Sequence, residues 1–503
     1  MARIAVIGAG MGAMAAAARL AVAGHRVVVY ERTDTYGGAV RRFERDGFRF
    51  DTGPGVLTLP AVYRDLFVKT GKEPLEDCVD LVQVDPSSRH VFADGTEVAL
   101  PNASRAGVVS ALDAALGAGA GERWGDFLVR AREAWDRTRR PLLEEPLWPN
   151  WQVLAEKEPY PAVPHKRLLR TRRAGTLTEI ASWELRDDRL EALLLSHALA
   201  HGLSPWTAPA SAAVLPYMEH AFGTWYVRGG MRELARAVYE RCRKRRVEFV
   251  FGAEVTRIVE RDGRAAGVEL ADRTVADADH VLADVHPARL RALTDRPLND
   301  EGDVRADPGA APPSRFTLLL ALRGGREPGA VHRTVVHPAA PEAEWDFLAS
   351  PGGDVPPPPT VTVLRPDDPA LTPDSEHESV VASAVVSSEA PWEDEGTVRR
   401  YTDLLLEAAE QAIPGLRERL LWHEVRAPGH VEEETGAPSG AVPAPALAAG
   451  RGRFLHPANT TRLPGLYRVG GWSHPGGGLP HAGMSGALVA GLIVEGPDFQ
   501  GSR

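Results

Sequence analysis

The sequence predicts an α/β fold in which a parallel-sheet domain is discontinuous. Its pieces lie at the beginning, middle and end of the chain, with a second sheet and a helical cap inserted between them. Three observations predict it: strand, glycine turn and Ala-rich helix at the N-terminus, a strand-rich return after Gly229-Gly230, and strand, glycine loop and helix again near the C-terminus.

The first piece starts with the apolar strand Arg3-Ile4-Ala5-Val6-Ile7, runs through Gly8-Ala9-Gly10-Met11-Gly12-Ala13 and continues as a helix over Met14–Ala23. Gly24 ends that helix, and Arg26-Val27-Val28-Val29-Tyr30 reads as a second strand with Glu31 at its tip. This order of elements grips a dinucleotide pyrophosphate. Gly8 permits the tight turn, Gly10 lets the backbone approach the phosphates, and Ala13 is small enough to keep helix and strand close where a third glycine is more usual. Glu31 stands roughly 20 residues beyond the turn, where a carboxylate accepts hydrogen bonds from a ribose.

The residues after Glu31 separate the dinucleotides. Gly37-Gly38, Arg41 and Arg42 come next, and then a second Gly/Pro turn at Asp51-Thr52-Gly53-Pro54-Gly55. A nicotinamide domain returns at once to helix and strand, whereas a flavin needs backbone approach along a longer molecule. Near the other end, Gly465-Leu466-Tyr467-Arg468-Val469-Gly470-Gly471-Trp472 leads through Ser473-His474-Pro475-Gly476-Gly477-Gly478-Leu479-Pro480-His481 into a helix expected over about Gly483–Ile493. The N-terminus of such a helix carries free N–H groups and partial positive charge, which suits an anionic group such as the pyrimidine edge of a flavin.

Through these segments, together with Trp225-Tyr226-Val227-Arg228-Gly229-Gly230-Met231, the whole chain resembles the phytoene (carotenoid) desaturase family of FAD-dependent oxidoreductases, relatives of the amine oxidases. The resemblance implies a Rossmann-type FAD-binding domain with an inserted substrate domain. It implies FAD contacts from Gly8, Gly10, Gly12, Ala13, Glu31, Arg32, Gly37, Gly38, Arg41, Gly53, Pro54, Val255, Gly471, Gly478, Leu479 and Pro480. The chain departs from the family pattern twice: Ala13 replaces the third glycine, and Ala39-Val40 separates Gly38 from Arg41 where the family often has arginine directly after the paired glycines.

Composition agrees with a large enzyme. A chain of 503 residues with 44% apolar content can bury more than one core. Its net charge of −10 argues against a nucleic-acid partner. Cys78 and Cys242 imply no disulfide framework and point to the cytoplasm. Neither lies near the loop after Val469, so the FAD is expected to be noncovalent. No secretory h-region is expected, nor any apolar run of about 18 residues that would span a membrane. Lysine is scarce while Arg, Ala, Gly and Pro abound, a bias suggesting a high-GC genome of actinobacterial kind.

The expected organisation is an FAD-binding domain from 1–85, 225–290 and 455–503, a helical cap from 86–224, and a substrate-domain sheet with helices from 291–454. Within the cap, 104–148 and 173–203 read as helical. The substrate sheet is expected to contain Phe316–Leu322 and Thr360–Leu364, separated by a stiff spacer at Pro356–Pro359.

Aromatic residues cluster before Gly229: Tyr217, Phe222, Trp225 and Tyr226, with Met218, Trp183 and Trp206. Rings bury a large area at little rotamer cost and suit a flat conjugated ligand, although most interhelical aromatics are simply core. Tyr217, Phe222, Trp225, Tyr226 and Trp472 are the expected substrate contacts. His481 and Glu219 are the candidates for handling a proton, with His474 and His220 as alternatives. Loss of hydride from a polyene leaves a cation whose proton is already acidic, so little base catalysis is required. The run His165–Arg173 mixes basic and apolar residues and could rest on an anionic membrane, or be an ordinary solvated face. No metal-ligand spacing is found, and no metal is expected.

With this aromatic zone, the resemblance implies an FAD-dependent oxidoreductase acting on a hydrophobic conjugated polyene, either a polyene tetramate macrolactam precursor in actinobacterial natural-product biosynthesis or a carotenoid. A flavin-dependent polyene isomerase without net redox, a flavin-bound scaffold and an amine oxidase are the competing readings.

Overall fold

The computed structural model describes residues 1–147, 151–164, 170–294, 298, 313–349 and 356–501. Its first sheet gathers strands from all three expected pieces. The order is Glu248–Phe251, β2 (Arg26–Glu31), β1 (Arg3–Ile7), His280–Ala283 and Leu466–Arg468, and every pair is parallel. Both faces of the sheet are covered, which is why its strands read as near-continuous apolar runs. Val6, Val27, Val29 and Leu282 pack on one side with α1 (Met11–Val22) and the C-terminal helix Leu479–Val494. Ala5, Ile7, Val281 and Ala283 pack on the other with a three-stranded antiparallel sheet spanning Val255–Arg261, Arg264–Leu270 and Val275–Asp277. The two helices meet backbone to backbone at Gly12 and Gly486.

The C-terminal helix begins at Leu479, earlier than its expected start, because Pro480 is tolerated in a first turn where an N–H has no partner to lose. α1 likewise begins at Met11, inside the glycine turn.

The second sheet has seven strands, in the order Leu420–Arg426, Pro313–Arg323, His377–Ser387, Val361–Leu364, Arg333–Val336, Ser88–Val91 and Glu97–Leu100. Helix Glu395–Ala412 covers one face, setting Tyr401, Leu405 and Ala409 against Phe316, Leu318 and Leu320. The last two strands come from the segment assigned by sequence to the helical cap. Each is only four residues long, Ser88-Arg89-His90-Val91 shows little apolar alternation, and its long-range parallel pairing with Arg333–Val336 brings both into the sheet.

The helical region comprises Arg105–Leu116, Ala120–Arg139, Asp188–Ala200 and Val214–Phe222 around a core with Trp124, Phe127, Leu193, Leu194 and Leu215, which Met484 of the C-terminal helix joins. The stretch expected to be helical over 173–203 is interrupted. A short helix at Leu177–Ile180, opened by a Thr176/Glu179 capping box, gives way to a wide turn over Ala181–Leu185, and a new helix starts where Asp187 accepts the Arg189 and Leu190 amides.

Of the basic run, His165–Leu169 lie outside the described residues, as does most of the 296–315 connection. Arg172 stacks 4.0 Å over the Trp183 ring, and Arg173 donates to the Glu158 carbonyl at 2.6 Å. Among the described residues no helix is long and apolar enough to cross a membrane.

Candidate functional site

Because the five strands are parallel, their carboxyl ends share one edge, the place where open α/β sheets bind ligands. Along that edge stand Gly8 after β1, Glu31 at the tip of β2, Asp284 after His280–Ala283, and Val469-Gly470 after Leu466–Arg468. Glu31 is buried and fully engaged. One oxygen accepts the Ala9 amide at 2.8 Å, and the other accepts the Thr33 amide at 2.9 Å and its hydroxyl at 2.8 Å. The Gly37 amide donates to the Ala9 carbonyl at 2.8 Å, which draws the paired glycines onto the turn.

Arg41 reaches the same place despite its offset. Its Nε donates to the Gly38 carbonyl at 2.9 Å and its Nη2 to Thr33 Oγ1 at 3.0 Å. Arg32 is exposed and donates instead to the carbonyl of Glu433. The Ala253 amide donates to the Glu31 carbonyl at 2.9 Å, so the buried Val255 begins its strand beside the tip of β2.

Gly53 and Pro54 are exposed just beyond Asp51. The Asp51 carboxylate accepts the Met231 amide at 2.6 Å and the Arg232 amide at 3.1 Å, capping helix Arg232–Lys244. Burial pushes its carboxyl up to about 6 against those two hydrogen bonds.

At the far end of the edge, Asn459 ties the loop after Leu466–Arg468 together. Its Nδ2 donates to the His474 carbonyl at 2.8 Å and to Ser485 Oγ at 3.1 Å, and Ser485 Oγ accepts the Gly470 amide at 3.0 Å. Gly471 comes next, partly buried. Gly478 caps the C-terminal helix at φ +99°, in a region that other residues rarely enter. Leu479 and Pro480 form the first turn, where the Tyr63 hydroxyl donates to the Leu479 carbonyl at 2.9 Å. His481 is 8% exposed; burial pushes its imidazole down to about 3, with His201, His456 and His474 acting in the same direction, so it is neutral at physiological pH.

The expected substrate residues divide between two cores. Tyr217 and Phe222 pack with tilted rings against Trp135, at 6.3 and 5.7 Å between ring centres, on the rim of the helical core. Trp225 packs on the core of the nucleotide domain, where its indole N–H donates to the Phe222 carbonyl at 2.8 Å. Tyr226 is buried, with its hydroxyl on Asp368 at 2.9 Å and its ring 4.8 Å from His332. Trp472 stands apart from them, edge-on to His286 at 4.5 Å.

Glu219 projects from helix Val214–Phe222 onto Arg333 of the second sheet, which engages both carboxylate oxygens. Although burial opposes it, the charge of Arg333, aided by His197, holds the Glu219 carboxyl below its usual range. His197 lies 3.9 Å away. Close by, His90 of the same sheet and His337, just past the end of strand Arg333–Val336, are hydrogen-bonded at 3.0 Å, both kept neutral by burial.

This edge fits a flavin dinucleotide. A Cβ on Gly10 would lie 2.3 Å from Asp284 Oδ2, so only glycine leaves the turn open at that point. The first amides of α1 have no intrahelical partners, and of these Ala13 donates to Asp284 at 3.3 Å. Two helices therefore aim their N-termini at the same edge. Residues 14–494 match the flavin containing amine oxidoreductases.

The chain belongs to that family.

It is 31% identical over 500 residues to a hydroxyneurosporene desaturase of Cereibacter sphaeroides, covering 98% of this chain and 97% of the relative. It is 29% identical to a 4,4'-diapolycopene oxygenase of a Methylomonas species, covering 98% of each chain. An oxidoreductase structure from Methanosarcina mazei shares the fold at a TM-score of 0.65 and 20% identity, over 97% of this chain and 99% of that one. The CLA-producing fatty acid isomerase of P. acnes shares it at 0.58 and 12%, over 97% and 98%. The chain is thus a phytoene-desaturase-like, FAD-dependent oxidoreductase.

Sequence reasoning missed Asp284, Asn459, Ser485 and the partnership of Glu219 with Arg333. Asp284 left a signal, an acid directly after a buried strand that runs beside β1. The other three are single polar residues joined to the site only by long-range contacts.

Proposed function

We propose that this protein holds noncovalent FAD and oxidises or cyclises a hydrophobic conjugated polyene bearing an acidic polar head, of the polyene tetramate macrolactam class, in actinobacterial natural-product biosynthesis. When bound, FAD supplies the electron acceptor for C–H oxidation. The chain's own residues do the rest. Tyr217, Phe222 and Trp225 offer ring surface to the polyene, Tyr226 stiffens the wall behind them, and Trp472 closes the flavin side. His481, kept neutral by burial in the first turn of the C-terminal helix, relays a proton in this reading, and Glu219 serves by fixing Arg333.

The observation that carries this reading is Arg333. Its guanidinium sits between the helical region and the second sheet, and its buried Nε has no hydrogen-bond partner among the described residues. A buried unmatched donor is costly unless something accepts from it. An acidic tetramate oxygen reaching it would satisfy that donor, as a hydrocarbon carotene would not; the buried Nε atoms of Arg19, Arg42, Arg89, Arg123, Arg172 and Arg241 share the same unmatched state, and Arg333 differs from them in lying beside the aromatic helix Val214–Phe222 through Glu219.

Carotenoid desaturation is the second reading, favoured by the hydroxyneurosporene desaturase and diapolycopene oxygenase relatives. Contact with an anionic membrane through 165–173 would accompany it, because a carotene must be drawn from lipid.

Anaerobic mixing of the holoenzyme with a polyene tetramate, with phytoene-type carotenes and with a small amine separates the readings by flavin bleaching and product mass. Conversion of the tetramate supports the proposal, and conversion of the carotenes alone transfers it to the second reading. Rapid bleaching by the amine alone replaces both with amine oxidation. Rearranged product without bleaching indicates an isomerase.

A further inference from the structure

Asp284 places its side chain directly against the glycine turn of α1. It continues the strand His280–Ala283, and its own amide donates to the Ile7 carbonyl at 2.9 Å, which fixes its backbone beside β1. Its carboxyl faces three backbones at once. Oδ2 accepts the Ala13 amide at 3.3 Å, a Cβ on Gly10 would lie 2.3 Å from the same oxygen, and a Cβ on Gly470 would lie 1.9 Å from Oδ1. The place where a dinucleotide's diphosphate meets a Rossmann-type turn is therefore shared with a carboxyl group.

A diphosphate and an ionised carboxylate compete for the same first-turn amides and repel each other. A neutral carboxyl has neither effect, and its O–H can donate to a phosphate oxygen.

We propose that Asp284 gates the cofactor site by its protonation. Protonated, it donates a hydrogen bond to the diphosphate of FAD; ionised, it keeps the Ala13 amide for itself and opposes the cofactor. FAD uptake above neutral pH is then proton uptake at one side chain.

The surroundings set where this happens. Burial raises the Asp284 carboxyl to about 7, the Ala13 amide pulls the other way, and the Glu31 carboxylate adds to the rise. The glycine turn Gly8-Ala9-Gly10 and the pair Val469-Gly470 contribute no ionisable side chain. Arg468, just before that pair, is turned to the Ala458 and Thr460 carbonyls. His286, just after Asp284, is depressed by burial and accepts the Ala288 amide at 3.2 Å. The folded-state value lies above that of a free aspartate, so the favourable protonated form is present below about pH 7 and is lost as pH rises through it.

The test is the dissociation constant of FAD from the holoenzyme between pH 6 and 9, read from the fluorescence of released FAD, for the wild type and Asp284→Asn. The wild type is expected to bind about tenfold more weakly for each pH unit above about 7, while Asp284→Asn stays flat at the tight value. A flat wild type, or a parallel rise in both proteins, overturns the gate while leaving the FAD reading intact. If Asp284→Asn does not fold, calorimetry of wild type with FAD at pH 8, in buffers of different ionisation enthalpy, decides the matter. Uptake of most of one proton per FAD is expected, and zero uptake overturns the proposal. Failure of the wild type to hold FAD at any pH would instead sink the cofactor reading.

Discussion

Asp51 accepts the backbone amide of Met231 at 2.6 Å, and through that bond two sequence motifs far apart in the chain become one structural unit. The Gly/Pro turn after Asp51 and the Gly229-Gly230-Met231 segment are halves of a helix cap. Neither can be displaced without the other.

Asp51→Ala should therefore lower stability by about 1–2 kcal/mol, the usual cost of a lost N-cap, whereas Asp51→Asn should lose much less. The pH dependence should differ as well. Burial raises the Asp51 carboxyl from 3.8 to about 6. Its contribution is then fully present below pH 3.8 and lost as pH rises to about 6, a slope that Asp51→Asn should lack. Urea denaturation across that window measures both effects, and identical slopes in the two proteins would refute the assignment.

Glu219 and Arg333 should behave as a buried pair. Arg333→Leu leaves an uncompensated carboxylate and should destabilise the protein by about 3–5 kcal/mol, while Glu219→Leu combined with Arg333→Leu should recover most of that loss. Thermal or urea unfolding of the single and double variants gives the coupling. Additive losses would show that the two residues do not depend on one another.

The loop glycines should separate two kinds of damage. A Cβ on Gly477 would lie 1.8 Å from the Pro443 carbonyl, so Gly477→Ala should disrupt the loop and reduce bound flavin. A Cβ on Gly478 would come no closer than 3.5 Å to His481 Nδ1, so the cost of Gly478→Ala is its φ of +99°, about 1–3 kcal/mol of local strain. That variant should keep FAD and lose turnover. The ratio of flavin to protein absorbance, with activity per bound flavin, checks the order, and the reverse order would contradict it.

FAD should be present at about one per chain and leave with acid. Glu31→Ala should weaken it by about 1–3 kcal/mol, since a buried acceptor for three protein donors is removed together with its ribose contact. Flavin that stays with the polypeptide after acid precipitation would rule out noncovalent binding.

The nucleotide domain was legible because its signals are local. The pattern Val6-Ile7-Gly8-Ala9-Gly10, Glu31 at a strand tip, and the glycine loop before Leu479 each announce their conformation within a few residues. The strands Ser88–Val91 and Glu97–Leu100 were not, because each is only four residues long, Ser88-Arg89-His90-Val91 has little apolar alternation, and what ties the pair into the sheet is the distant Arg333–Val336 strand. The aromatic zone was visible as a cluster in sequence, but its division between two cores was not: adjacent residues such as Trp225 and Tyr226 point to opposite sides of one strand. Glu219 read as a lone acid on a helix, and only the fold brings Arg333 to it.

The pairing of Ser88–Val91 with Arg333–Val336 also decides how this chain can be dissected. The second sheet looks like an insertion that could be excised between roughly residues 291 and 454. Such a fragment would leave behind the two strands that finish the sheet and would bare the backbone edge beside Val335 and Val336, both buried in the whole protein. An unguarded apolar edge recruits other strands, so the excised piece should come out of solution as aggregate, and the halves of this protein are separable on paper only.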